Sequence, residues 1–134
     1  MSSHNNRAWI WLIWIVLGHL VISSAHGFAH AQANVPLSLA ANLFVYIVIL
    51  AGPRIGLLLA WKARRIGSIV IALAMAGSLV FGLVNHFMLS SPDHVAHVAA
   101  QWRTLFAATA ALLALTEALG FGLAIRVIRE RKAS

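Results

Sequence analysis

The side chains able to do chemistry in this sequence are few, and most of them are imidazoles. Seven histidines occur in 134 residues, with no cysteine and only three acids, Asp93, Glu117 and Glu130. The lack of cysteine excludes disulfides, thiolate metal sites and thiol redox chemistry. Ligation must then come from nitrogen, with Met88 as a soft sulfur and Asp93 as an oxygen. His19, Ser23, His26 and His30 recur at helical spacing and form one stripe. His26 and His30 are an i,i+4 pair, near enough to hold one ion together. Ser78, Gly82 and Asn85 make a second stripe, with His86 beside it.

The set His26, His30, His86, His94, His97, Asp93 and Met88 suits copper best and zinc next, whereas magnesium or calcium would want oxygens. Asp93-x-x-x-His97 resembles the Asp-x-x-x-His copper motif in the C subunit of particulate methane monooxygenase, over five residues. A b-type haem uses the same residues differently. Two histidines at equal depth on facing helices, with small residues beside them, can take its axial positions. His26 and His86, with Gly27 and Gly82, meet that description, which resembles the general plan of four-helix membrane cytochromes b. His19 has no histidine partner at its own depth, so one haem is expected at most. The plainer alternative is that interfacial histidines bond only to headgroups, water and one another.

The solvent that positions these residues is lipid. Hydrophobic residues make up 61% of the chain and charged residues 10%, where a soluble domain carries about 25% charged. Apolar segments at 8–29, 36–60, 66–89 and 104–126 are each near the roughly 20 residues that a span needs. Short connectors make neighbours antiparallel, so the expected fold is all-α, a single membrane domain over 1–134 built as a four-helix up-down bundle. By rise per residue, His26 and His86 then lie roughly 12 Å outward from the middle of their spans. Ser91 as N-cap, Pro92 at the first position and Asp93 in the first turn predict an interfacial helical extension over 92–103. Pro53 should kink the second span.

Basic residues set the orientation. Arg7, then Lys62, Arg64 and Arg65, then Arg126, Arg129, Arg131 and Lys132 fall on one side, while loops 31–35 and 90–93 contain neither Lys nor Arg. The positive-inside rule makes the first side cytoplasmic, with both termini there, in a bacterial-type inner membrane. The partner implied is the bilayer, not nucleic acid. Arg7, an apolar run and Ala29-His30-Ala31 also fit a signal peptide cleaved after Ala31. The length of the run and His19 in its middle favour retention.

Glu117 falls near the centre of the fourth span, where a lone carboxylate is costly, so it must be protonated or paired. Arg54 and His19 are the expected partners, forming either a helix-fixing contact or a proton-transfer pair. Three kinds of function follow. The first is a membrane protein binding a redox metal or haem, for metal handling or electron transfer. The second is an accessory or assembly subunit of a larger membrane complex without a cofactor of its own. The third is a proton-coupled carrier, which would have to form a homo-oligomer, because four short unbroken helices make a poor transporter. No hydrolase triad, phosphate loop, nucleotide fingerprint or carboxylate pair is present. Enzymatic chemistry is thereby narrowed to a metal- or haem-dependent membrane oxidoreductase.

Overall fold

The computed structural model describes residues 3–130, with side chains from residue 7 onward. Arg131, Lys132 and the side chain of His4 lie outside that range. All the regular structure described is helical, and four helices are long and apolar enough to cross a membrane. They are α1 (Ser3–Ala33), α2 (Leu39–Lys62), α3 (Arg64–Met88) and α4 (Ala100–Glu130). α1 packs on α4, α4 on α3, and α3 on α2, while α1 and α2 scarcely meet. The bundle is therefore a ring with one open seam.

Local sequence explains where the helices stop and bend. Asn34 ends α1 in the left-handed conformation, at φ 52°, which asparagine tolerates better than most residues. The Val35 amide then reaches back to the His30 carbonyl at 3.2 Å. α2 starts later than Pro36, because Ser38 is the N-cap and its hydroxyl accepts from the Ala41 amide at 3.1 Å. Inside α2 the winding loosens to a π-helix over Val45–Ala51, just before Pro53. Proline has no N–H to give to the carbonyl four residues back, that of Ile49. That carbonyl instead lies 3.4 Å from His19 Nε2. The last turn of α3, Val84–Met88, is also π-helical and contains His86.

Two glycines let α2 and α3 touch backbone to backbone. A Cβ on Gly67 would collide with the Gly56 carbonyl and the Ala60 amide, and one on Gly56 would come within 2.5 Å of Ile71 Cγ1. Such close approach is how helices associate where apolar burial offers no gain.

The buried face of α1 reads Ala8, Leu12, Val16, His19, Ser23, His26 and Ala29. One stripe thus turns from apolar to polar halfway along. At the arginine-rich end Leu12 and Val16 pack with Ile71, Met75, Ala124 and Val127. Beyond it the buried groups are His19, Glu117, Ser23, Ser78, His26, His86 and Thr109. A small apolar cap of Ala29, Val98 and Phe106 covers the far end. The large apolar side chains outside, Trp11, Trp14, Val21, Leu58 and Leu73 among them, are exposed on the flanks.

The helical extension expected over 92–103 forms only from residue 100 onward. Residues 91–99 are turns with a short 3-10 segment at Val95–His97, and α4 begins at Ala100. The physical reason is that Asp93 is drawn into the bundle by imidazoles instead of capping a helix. Its carboxylate faces His30 and His86, and its carbonyl accepts from His86 Nδ1 at 3.1 Å.

Candidate metal centre

Three imidazoles from two helices converge beneath the apolar cap. A ring nitrogen from each of His26, His30 and His86 lies within 4.8 Å of the others. His26 and His30 come from consecutive turns of α1, and His86 from the π turn of α3. Phe106 of α4 packs against all three, with ring centroids 4.6 Å from His26, 4.8 Å from His30 and 5.3 Å from His86.

Hydrogen bonds fix which nitrogens are free. His86 Nδ1 faces a carbonyl oxygen, that of Asp93, so it must carry the proton and donate. The Thr109 hydroxyl lies 2.8 Å from both the Leu105 carbonyl and His26 Nδ1; where it donates to the carbonyl, its lone pairs accept from His26 Nδ1. Both rings then present Nε2, and these two atoms are 3.2 Å apart. Two lone pairs at that distance repel unless a proton or a cation lies between them. Two nitrogens bound to one ion at about 2.0–2.1 Å would stand about 3.3 Å apart at a tetrahedral angle.

His30 Nε2 contacts Asp93 Oδ1 at 3.0 Å, while its Nδ1 is buried without a hydrogen-bond partner among the described residues. His26 and His86 thus each have Nδ1 held by an oxygen and Nε2 turned to the other ring, while His30 has only a close contact to the Asp93 carboxylate. That is the arrangement in which a carboxylate, carbonyl or hydroxyl orients a ligating histidine from behind. Asp93 Oδ1 also contacts His86 Nδ1, at 3.3 Å. Burial pushes the Asp93 carboxyl up, but the two imidazoles against it more than reverse this and bring it down to about 2. The result is a buried carboxylate beside a trio of imidazoles, a setting that attracts a cation.

Several expected members of the site are elsewhere. Met88 is 73% exposed and supplies no sulfur, because the buried face of that turn is taken by His86. His94 Nδ1 accepts from the Ala96 amide, which places its proton on Nε2 and uses up its lone pair. His97 is exposed and held by its Nδ1 at 2.6 Å from the Ser91 carbonyl. The Asp93-x-x-x-His97 motif is thus split, with one end buried and the other at the surface. Glu117 contacts His19 and not Arg54: His19 Nδ1 to Glu117 Oε1 is 3.9 Å, and the other oxygen, Oε2, is buried and unpartnered among the described residues. Arg54 is exposed and turns back to the Leu50 carbonyl at 3.0 Å.

Thr109 and Phe106 escaped the sequence reading. Their signal was periodicity, since Phe106, Thr109, Leu113, Glu117, Gly120 and Ala124 recur every three or four residues on α4. Extending the Glu117 face outward by two turns reaches Thr109.

No protein-family model matches this chain, and neither a curated protein nor a solved structure was found to resemble it.

Proposed function

We propose that this is a multi-pass inner-membrane protein of bacterial type that binds one redox metal ion, copper in the first place, for metal handling or electron transfer. His26, His30 and His86 are the ligands, and Asp93 and Thr109 orient them. The observation that carries this reading is the 3.2 Å separation of the His26 and His86 Nε2 atoms, with each Nδ1 engaged by oxygen. Imidazole nitrogen suits copper and zinc, and copper(II) stands above zinc in affinity for such donors. The clustering of Arg7, Lys62, Arg64, Arg65, Arg126 and Arg129 at the opposite helix ends supports cytoplasmic termini and a metal site near the other face. A bis-histidine haem fits less well. Nitrogens on opposite sides of one iron need about 4 Å between them, on the scale of metal–nitrogen bonds near 2 Å.

The test is metal analysis, equilibrium titration and an absorption spectrum on detergent-purified protein. One copper or zinc per chain is expected, lost in His26→Ala and in His86→Ala. Protein that takes up neither metal and shows no Soret band would remove this reading and leave an accessory subunit of a larger complex in its place.

A further inference from the structure

From the histidine cluster a cavity of about 410 Å3 runs along the open seam to Glu117. That volume lies in the range of small-molecule sites and is far more than one ion fills. Its walls are mainly apolar, with Ile49, Leu50, Phe81 and Leu113 among them. Ser23, Asn42, Tyr46 and Ser78 also line it, and polar atoms in its lining lack a hydrogen-bond partner among the described residues. Glu117 is 2% exposed with Oε2 unpartnered, and His30 Nδ1 is unpartnered near the opposite end. Gly82 lies between them. A Cβ there would meet His86 Cδ2 at 3.8 Å and Glu117 Oε2 at 3.9 Å, so the ring and the carboxyl border one space. Neither Lys nor Arg is among the residues that line it. Residues of α1 and α2 both line it, and these two helices scarcely meet, so the gap between them is a route by which a ligand would enter sideways from lipid.

We infer that this cavity binds a lipid-soluble, uncharged ring bearing hydrogen-bonding oxygens, of the quinone and quinol class, with the neutral carboxyl of Glu117 donating to one oxygen. An anionic head, as on a fatty acid or phospholipid, would lie near the Asp93 carboxylate with neither Lys nor Arg in the lining to balance it. A plain hydrocarbon would leave Oε2 of Glu117 buried and unpaired, which is costly. A quinone carries oxygens on opposite edges of an apolar ring and satisfies both conditions. The small residues Gly82, Ala110 and Ala114 leave room for a flat body. Because His26, His30 and His86 line the same space, the ring would rest against the proposed ligands. Binding itself stands on the cavity, and only its pairing with a redox ion rests on the function proposed above.

The experiment uses full-length protein in nanodiscs, stripped of metal by chelation, with decyl-ubiquinone as probe. Empty nanodiscs give the baseline and decanoate the charged control. Saturable quinone binding above the baseline is expected, with decanoate at least tenfold weaker. Glu117→Leu should weaken the quinone about tenfold or more, the scale of a buried hydrogen bond to a carboxyl. Gly82→Leu should abolish binding by filling the space. Ala114→Phe fills the same cavity from α4 and serves if Gly82→Leu does not fold. Quinone binding equal to empty discs, decanoate binding as tightly, or filled variants that bind unchanged would each overturn the proposal. Metal binding is titrated on the same preparations. Quinone binding without metal binding upholds this inference and removes the metal reading, and the converse removes this inference alone.

Discussion

Thr109 on α4 holds His26 on α1 by its Nδ1, at 2.8 Å, and so aims the opposite nitrogen at His86. Removing the hydroxyl while keeping the shape should loosen that aim. Thr109→Val is expected to weaken metal binding about 10- to 100-fold, as loss of an orienting partner does. Thr109→Ser should keep most of the affinity. Competitive titration against a chelator of known strength reads both, and equal binding by Thr109→Val and wild type would show that the contact is incidental.

The outer histidines provide the contrasting case. His94 spends its lone pair on a backbone amide, and His97 is exposed and held by the Ser91 carbonyl. The double substitution of both by alanine should leave the tightest metal equivalent in place. A drop in stoichiometry from one to none on metal analysis would mean that the loop folds over the trio and contributes ligands.

Protons compete with a metal ion for imidazole nitrogen, so bound metal is expected to leave as the pH is lowered. Asp93 has a pH dependence of its own. Its carboxyl is held at about 2 against an ordinary 3.8, so it stabilises the fold fully above about pH 5 and loses that contribution as pH falls toward 2. The difference corresponds to about 2 kcal/mol. Metal-free Asp93→Asn should therefore melt below wild type at pH 6, with the gap closing near pH 2. A gap that is constant across this range would show that the carboxylate charge is not what matters.

Gly67 should be intolerant for a reason unrelated to the site. Any side chain there meets the Gly56 carbonyl and the Ala60 amide, and backbone cannot yield as a rotamer can. Gly67→Val is expected to cost about 2 kcal/mol or more by overpacking. Thermal unfolding in detergent measures it. Gly18→Val, at a glycine whose added Cβ would meet nothing within 4 Å, should be milder, and the reverse order would refute the close α2–α3 contact.

Residues 1–31 are expected to remain on the mature protein, since Leu12 and Val16 belong to the core and His26 and His30 to the site. Intact mass of the purified chain decides it. A chain beginning at Gln32 would take the proposed centre with it.

Periodicity and hydropathy made the four helices legible, and the matched depth of His26 and His86 made their meeting legible too. Both follow from rise and rotation along a regular helix, which sequence spacing encodes directly. What the sequence concealed were departures from regularity. Asp93 reads as a helix-capping acid because its neighbours Ser91 and Pro92 suit a helix start, yet two imidazoles outcompete the cap. Met88 is two residues from His86, and adjacent positions on a helical turn point apart. The choice of His19 over Arg54 as the neighbour of Glu117 turned on the packing order around the ring. α1 sits beside α4, and α2 lies across the open seam. Chain order does not state which pairs of helices touch.

That packing order bears on how the protein is made. The first helix synthesised finds its main neighbour in the last, and until α4 emerges the stripe of His19, Ser23 and His26 has no Thr109 or Glu117 to meet. Bare polar groups are poorly tolerated among acyl chains. Biogenesis is therefore expected to leave α1 incompletely packed until α4 has followed it into the bilayer. A version cut short before Ala100 should be the form most readily degraded in the cell.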